Sequence, residues 1–244
     1  MTKPRRVLLK LSGEALMGEL AYGVDQQVLH SFISEIAQAY KDGIQIAIVV
    51  GGGNIFRGVQ GIAKGMDRSS ADYVGMMATI MNSITLVDAL KQQGIKAKCL
   101  SSIEMPRVID LFTKEKAMEG FDRQEVLVFA GGTGSPFFTT DTAAALKAAE
   151  IEADVVLKAT QVDGIYEADP RKNPHAKRFK QLSYHDCLVN GYEVMDTSAF
   201  SLCRDHRIPI RVFSLKAKGA IAQALRGEAI GTLVADGAEV EFFG

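Results

Sequence analysis

The stretch AGGTGSPFFTTDTAAA, at Ala130–Ala145, decides the fold that this sequence predicts. It follows an apolar run, EVLVFA at residues 125–130, that is typical of a buried strand. It precedes residues 142–150, an alanine-rich segment that favours a helix. A glycine-rich turn between a strand and a helix presents backbone N–H groups at the positive end of the helix dipole, where anions bind. The same residues also fit an ordinary loop in which Thr139 or Thr140 caps the helix.

Strand and helix patterns alternate along the rest of the chain. Apolar runs predict strands at residues 5–11, 44–50, 95–100, 154–159, 208–213 and 231–235. Helical patterns cover residues 24–41, 68–93, 183–189, 198–206 and 216–226, with residues 103–123 irregular to helical. Such alternation predicts an α/β fold with a mainly parallel sheet covered on both faces. No Pro/Ser-rich linker or internal repeat divides the 244 residues, so we expect one domain.

Composition narrows the class of protein. The 28 Lys and Arg residues nearly balance 29 Asp and Glu residues, which argues against nucleic acid or an anionic membrane surface as a partner. Cys99, Cys187 and Cys203 are scattered, which fits a reducing cytosol and neither a disulfide framework nor a zinc site. The first apolar run is interrupted by Lys10 and is too short for a signal peptide. The uncharged residues 73–87 fall short of the roughly 20 that a membrane span needs. We expect a cytoplasmic protein.

Four predicted strand ends carry groups that suit phosphate. Lys10 and Lys158 lie near the ends of two strands, where each is either a ligand contact or simply a solvated lysine. Gly51–Gly53 follow another strand, with Arg57 close behind, and three consecutive glycines indicate close approach of backbone to a ligand. The fourth group is the loop of residues 131–140, which follows the strand predicted at residues 125–130. Two anion loops and two lysines at one sheet edge would suit transfer of a phosphoryl group between two phosphorylated ligands.

Several common enzyme motifs are absent from the sequence. The dipeptide Gly-Lys does not occur, which excludes the GxxxxGK[ST] loop of P-loop kinases. GxGxxG is absent too, which weighs against a dinucleotide-binding dehydrogenase. No GxSxG turn or recognisable Cys/His spacing suggests a hydrolase.

Longer motifs together resemble the bacterial UMP kinases of the amino-acid-kinase superfamily. These motifs are KLSGEAL at 10–16, GGGNIFRG at 51–58, GTGSPFFTTD at 132–141, LKATQVDGIYEADP at 157–170, VMDTSAF at 194–200 and IPIRVF at 208–213. The resemblance covers essentially the whole chain. It implies an amino-acid-kinase-like three-layer αβα sandwich over residues 1–244, with the acceptor part mainly in 1–150 and the ATP part mainly in 151–244. It also implies the reaction ATP + UMP → ADP + UDP, with Mg²⁺ held largely by phosphate oxygens and water.

The resemblance assigns roles to individual residues. It implies ATP binding by Lys10, Leu11, Ser12, Gly13, Gly53, Arg57, Thr160, Gln161, Tyr166 and Asp169. It implies UMP binding by Gly52, Asp72, Thr133, Gly134, Ser135, Pro136, Phe137, Phe138, Thr139 and Thr140. Lys10 and Lys158 would act as catalytic cations, with Asp141 orienting Lys10. Ser135 stands where relatives often have Asn, so a water would be needed to reach a uracil edge.

Regulation and assembly are further implications of the resemblance. The segment linked to GTP activation corresponds to Gly18, Glu19, Leu20, Ala21, Tyr22 and Gly23, and UTP is expected to inhibit. A homohexamer is implied, with the Met-rich helix around Met81 packed against the same helix of another subunit. Two other functions stay open: an enzyme of the superfamily acting on a carboxylate or carbamate, and a non-catalytic nucleotide-binding storage protein.

Overall fold

The computed structural model describes residues 5–63, 65–170, 172–173 and 175–243, apart from the side chains of residues 59, 60 and 63. Its strands are β1 (Arg6–Leu11), β2 (Gln45–Val50), β3 (Ala97–Ser101), β4 (Asp110–Leu111), β5 (Val126–Ala130), β6 (Val155–Thr160), β7 (Phe179–Ser183), β8 (Ile210–Ser214), β9 (Thr232–Ala235) and β10 (Glu241–Phe242). Its helices are α1 (Gln26–Tyr40), α2 (Gly58–Ala63), α3 (Arg68–Gln92), α4 (Lys114–Asp122), α5 (Thr140–Glu150), α6 (Tyr184–Asn190), α7 (Thr197–Asp205) and α8 (Ala220–Leu225). A 3₁₀ turn at Gly13–Leu16 follows β1.

One sheet contains all these strands, in the order β10-β7-β9-β8-β6-β1-β2-β5-β3-β4. Neighbouring strands are parallel except for the pairs β8–β9 and β10–β7. The predicted mainly parallel sheet is therefore confirmed. Strands β4, β7 and β10 were not predicted, because none has a long apolar run: β7 reads FKQLS, and β4 and β10 contribute two residues each.

Helices cover both faces of the sheet. Alternate side chains of β1 divide between the two cores, since successive residues of a strand point to opposite faces. Val7, Leu9 and Leu11 pack with α1, α3 and α8, whereas Leu8 packs with the core that holds α4, α5, α6 and α7. This is the predicted three-layer αβα sandwich. By the same alternation Lys10 shares the face of Leu8, which is the face that α5 covers.

Helix α3 is the longest of the helices that the structure describes. Asp67 caps it by accepting a hydrogen bond from the Ser70 N–H group. Its 25 residues are enough by length and composition to cross a membrane, whereas the uncharged residues 73–87 are too few on their own. Half of its most apolar window is buried inside the protein.

Helix ends differ from the predicted ones where capping groups decide them. Helix α5 begins at Thr140, two residues early, because the Thr139 hydroxyl accepts hydrogen bonds from the first N–H groups of the helix. Helix α8 begins at Ala220, four residues late, after Gly219 in the left-handed region at φ 86°. The buried Glu35 carboxylate of α1 accepts from the Gly219 and Ile221 N–H groups and so caps α8 from another helix.

The three cysteines are predicted to be unreactive in the folded protein. Burial raises the pKa of each thiol to about 12, so little thiolate forms near neutral pH. Iodoacetamide at pH 8 should therefore leave Cys187 and Cys203 unmodified in the native protein, while the denatured protein reacts at all three positions. Peptide mass spectrometry measures both. Modification of native Cys203 at the denatured rate would contradict the packing described here.

Candidate active site

A carboxylate between two lysines forms the centre of the candidate site. Lys10 Nζ lies 2.6 Å from Asp141 Oδ1, and Lys158 Nζ lies 2.7 Å from Asp141 Oδ2. The side chains are 11%, 19% and 13% exposed for Lys10, Lys158 and Asp141, so the cluster is largely withdrawn from water. The sequence predicted all three residues for the site, and the structure brings them into direct contact.

The sheet and α5 together create this contact. Lys10 on β1 and Lys158 on β6 are register partners in adjacent parallel strands, so their side chains leave the sheet side by side. Asp141 lies in the first turn of α5, which crosses the same face. Burial raises the pKa of Asp141, but the charges of Lys10 and then Lys158 lower it by more, and the net pKa is below its usual value. The ionised cluster keeps one net positive charge, which can attract an anion.

The segment before α7 fixes the cluster from the other side. Lys158 Nζ also donates to the backbone oxygen of Val194, at 2.7 Å. Asp196 accepts hydrogen bonds from the hydroxyls of Thr139 and Thr142, which flank Asp141 in sequence. Asp196 also caps α7 by accepting a hydrogen bond from the Ala199 N–H group. Its link to α5 had no local signal, because 54 residues separate Asp196 from Thr142.

The glycine loop after β2 lies against the end of β1. A Cβ atom on Gly13 would lie only 2.6 Å from Gly51 O and from Gly53 N, so no side chain fits there. A Cβ atom on Gly52 would lie 2.8 Å from Gly75 O of α3. The sequence predicted that Gly51–Gly53 allow the backbone to approach a ligand, whereas at Gly52 the close approach that the structure shows is to the backbone of α3. Ser12 caps the 3₁₀ turn, and Leu11 is fully buried.

Helix α3 holds both glycine-rich loops through side chains that sequence reasoning missed. The buried Asn82 amide donates to Gly51 O at 2.7 Å, and it exchanges two hydrogen bonds with Asn54. One turn earlier, the buried Thr79 hydroxyl accepts from the N–H group of Gly131 at 3.0 Å. The sequence signal that could have identified Thr79 and Asn82 is their polarity within an apolar helix, because buried polar side chains need hydrogen-bond partners.

Two further predicted features lie beside the glycine loop. Arg57 pairs with Glu14 at 3.1 Å, an exposed contact that leaves its guanidinium within reach of an incoming anion. The loop Gly18–Gly23 is joined to Asn54 in both directions: Gly23 N donates to Asn54 O, and the Asn54 amide donates to Gly23 O. Within that loop, Leu20 and Tyr22 are exposed.

A small cavity of about 150 Å³ opens on one side of the cluster. Its lining includes Gly52, Asp72, Thr133, Phe138, Thr139 and Thr140 among the predicted acceptor-binding residues. Asp72 Oδ2 accepts from Arg68 Nε and from the Phe137 N–H group, each at 2.8 Å. Thr140, which lines the cavity, directly precedes Asp141 of the cluster in the first turn of α5.

The loop above this cavity has an unusual backbone. Phe137 has φ 72°, a conformation that costs energy for a residue with a side chain, and its ring is 65% exposed. The Thr133 hydroxyl bonds both the N–H group and the carbonyl of Ser135. Of the predicted residues, Gly134, Ser135, Pro136 and Phe137 belong to this loop but do not line the cavity.

A larger cavity of about 690 Å³ has Lys158, the predicted second catalytic cation, in its lining. Thr160, Tyr166 and Asp169, three of the residues predicted to bind ATP, line it as well. Residues 190–194 form the opposite wall. Gln161 is not brought into this cavity and lines a smaller one with Phe32 and Lys216.

Protein ligands for a metal ion are not gathered in the described part of the chain. Among those residues, no group of three or more His, Cys, Asp or Glu side chains could hold a metal ion. Both oxygens of Asp141 are engaged by lysines. The donor set therefore fits a magnesium ion only as one that arrives on nucleotide phosphates.

Comparison with known proteins gives consistent matches. The model of the amino acid kinase family matches residues 5–214. A UMP kinase structure from Bacillus anthracis is 35% identical, with a TM-score of 0.95, and the match covers 99% of this chain and 100% of that one. A UMP kinase from Ureaplasma parvum is 33% identical, with a TM-score of 0.91 and coverage of 97% and 100%. A uridylate kinase from Archaeoglobus fulgidus is 28% identical, with a TM-score of 0.71 and coverage of 94% and 99%.

The central cluster makes stability depend on pH in a defined direction. Because the pKa of Asp141 is lowered on folding, its stabilising effect is present above the ordinary carboxyl pKa of about 3.9 and is lost as the pH falls through the folded value. Asp141→Asn leaves two neighbouring ammonium groups without an anion, which should cost about 3–5 kcal/mol at pH 7. Urea unfolding should show this difference shrinking toward acid.

Asp110→Asn is the matched control, since it removes an exposed carboxylate paired with Lys98 and should change stability much less. An Asp141→Asn protein as stable as the wild type at pH 7 would contradict the cluster described above.

Proposed function

The chain belongs to the amino acid kinase family, and we propose that it is a UMP kinase that transfers the γ-phosphoryl group of ATP to UMP, giving ADP and UDP. Near-full-length similarity to two UMP kinases at 33–35% identity supports UMP as the acceptor. The observation that carries the proposal is that the Lys10–Asp141–Lys158 cluster adjoins residues of two cavities: Lys158 lines the larger one, and Thr140, the residue before Asp141, lines the smaller one. A group that must pass from one bound phosphate to another needs this arrangement.

We assign the smaller cavity to UMP. The predicted residues of the loop, Thr133–Thr140, would enclose its phosphate and base, with Gly52 beneath. The Asp72 carboxylate would accept from ribose hydroxyls through the oxygen that Arg68 and Phe137 do not use. Ser135 would reach the uracil edge through a water, because its side chain is short and does not line the cavity.

ATP would occupy the larger cavity, with its phosphates directed toward the cluster. Thr160, Tyr166 and Asp169 line the cavity and would contact the adenosine part. Lys10, Ser12, Gly13, Gly53 and Arg57 would contact the phosphates. Leu11 would contribute only backbone, because its side chain is buried in the core. Gln161 would need to turn from its own smaller cavity to join this site.

The cluster would act mainly by charge and position. Lys10 and Lys158 each carry three donors. Lys158 uses two of them, on Asp141 and on the Val194 backbone oxygen, and Lys10 is paired with Asp141, so the remaining donors can hold oxygens of the transferring group. These cations would stabilise the charge that spreads over the transferring oxygens. Asp141 would fix both ammonium groups before the substrates arrive, which avoids reorganisation during the reaction. Because α5, β1 and β6 carry the three residues, the positions are set by the core of the fold.

Magnesium would enter bound to ATP and would neutralise charge on the phosphate oxygens. A carboxylate or carbamate acceptor is not favoured, because the similar structures reported above are UMP and uridylate kinases. A non-catalytic storage protein is likewise not favoured. It would not need two phosphate-binding lysines, yet Lys10 and Lys158 are both held in the site by Asp141.

Assembly and regulation extend the proposal. We infer a cytoplasmic homohexamer in which residues 1–244 act as one domain, activated by GTP through the loop Gly18–Gly23 and inhibited by UTP. The outer side of α3 supports the assembly: Tyr73, Met77, Met81 and Ile84 recur at helical spacing and are 36–54% exposed. The hydrogen bonds between Gly23 and Asn54 give the loop a direct connection to the glycine loop.

Measurement of ADP release with UMP, CMP, dUMP, carbamate and no acceptor tests the proposed function. UMP should give rapid release, and carbamate should give no more than the reaction without acceptor. Equal release with and without UMP would overturn the proposal.

Asp72→Asn should raise the KM for UMP about 10- to 100-fold and leave the KM for ATP nearly unchanged, because hydrogen bonds to a charged acceptor are the stronger ones. The wild type should prefer UMP to dUMP, and the variant should lose that preference. Arg68→Gln is the control, since it removes the ion pair with Asp72 but keeps the carboxylate. A wild type that uses UMP and dUMP equally would remove Asp72 from ribose recognition.

Met81→Glu should split the oligomer, because a carboxylate would be buried without a partner in the contact between α3 helices. Sedimentation velocity at micromolar concentration measures the effect. Ser34→Glu, at an exposed position of α1, is the control and should keep the wild-type sedimentation coefficient. A wild-type protein that sediments as a monomer would contradict the proposed assembly.

A further inference from the structure

We propose that the C-terminal strand β10 and Phe243 hold the wall of the larger cavity, and that Phe243 and Arg178 are positioning residues for the nucleotide donor. The inference rests on the proposed function, which assigns this cavity to ATP. It concerns residues that do not line the cavity themselves.

Strand β10 and the residue after it are attached to the outer side of β7. Phe242 stacks on Phe179 with ring centroids 4.5 Å apart, and the Phe243 N–H group donates to Arg178 O at 3.0 Å. Glu241 pairs with Lys180 at 2.5 Å. The end of the described chain is therefore tied to β7 by backbone, aromatic and ionic contacts.

A continuous series of side-chain contacts leads from this attachment to the cavity. The Phe243 ring lies under the Arg178 guanidinium, 4.1 Å from its central carbon. Arg178 Nη1 binds the Asp163 carboxylate and lies 3.3 Å from the Asp163 backbone oxygen. Asp163 Oδ1 then accepts from the Tyr166 hydroxyl at 2.8 Å. Tyr166 lines the cavity, so the ring of Phe243 is connected to the cavity wall through the charged side chains of Arg178 and Asp163.

Backbone contacts give the same loop a second attachment to β7. Tyr166 and Arg178 form an antiparallel bridge, and Phe179 N donates to Ile165 O at 2.9 Å. Ile165 N donates in turn to the Thr232 hydroxyl of β9. These bonds fix the path of the loop, whereas the position of the Tyr166 ring is left to Asp163 and Arg178.

The charged groups in this series need orientation from outside. The Asp163 side chain is 50% exposed and Arg178 is 25% exposed, and an exposed ion pair alone holds its partners weakly. A guanidinium restrained by a flat aromatic face loses less freedom on pairing with a carboxylate. Phe243 therefore favours the conformation in which Tyr166 borders the cavity. The nucleotide would bind this conformation, so a larger population of it gives tighter binding.

Phe243→Ala tests the inference. It should raise the Kd of ATP, measured by calorimetry without UMP, and the KM for ATP by about two- to fivefold, the range expected for one exposed cation–π contact. The KM for UMP, kcat at saturating ATP and the melting temperature should match the wild type. Phe243→Tyr keeps the flat ring and should restore the wild-type Kd. Glu241→Gln removes an ion pair between the same strands and should leave the Kd unchanged.

Unchanged ATP binding by a folded Phe243→Ala protein would overturn the inference, as would an equal rise in the KM for UMP. If the alanine variant does not fold, Phe243→Leu takes its place, because leucine keeps apolar bulk but has no aromatic face. Failure of the proposed function is distinguishable: the wild type would then bind ATP without UMP-dependent ADP release, and the calorimetric comparison would still decide the role of Phe243.

Discussion

Two ammonium groups at register-paired positions of adjacent parallel strands repel each other, and the site depends on the single carboxylate that holds them. Strands lie about 4.8 Å apart, and two unit charges at about 5 Å repel by about 3 kcal/mol at an effective dielectric constant of 20. Asp141 contacts both Lys10 and Lys158 within 2.7 Å and leaves one net positive charge. The strand order that places β6 beside β1, and the path of α5 across that face, are thus the structural conditions for an anion-binding centre.

Helix α3 connects the two glycine-rich loops that border the smaller cavity. Asn82 and Thr79 bind the backbone of one glycine-rich loop each, and Asp72 binds the backbone of Phe137. A shift of this helix would move both loops together, because the contacts are to backbone atoms. The opposite side of the same helix carries the exposed Met81. A subunit contact there would change the geometry of the smaller cavity without any change in the residues that line it.

The sequence predicted the class of fold and the two central lysines for a physical reason, because both depend on local patterns. The role of Asp141 was implied only by the resemblance to a known family. Buried parallel strands give continuous apolar runs, and a lysine inside such a run, as at Lys10, is conspicuous. The β7 and β10 strands gave no such pattern. The roles of Asn82, Thr79 and Asp196 depend on contacts between segments far apart in sequence, and no local spacing encodes them. Gln161 matched a motif, yet its side chain lies in a different cavity from Tyr166.

We propose that the transferring phosphoryl group lies beside Lys10, and the turnover of Lys10→Met tests this position most directly. Loss of one preorganised cation should lower kcat about 10²- to 10³-fold, with the fold and UMP binding preserved. Steady-state kinetics with ATP and UMP, alongside the melting temperature and calorimetric UMP binding, measures these quantities. A folded Lys10→Met protein with a kcat close to that of the wild type would contradict the central role given to the Lys10–Asp141–Lys158 cluster.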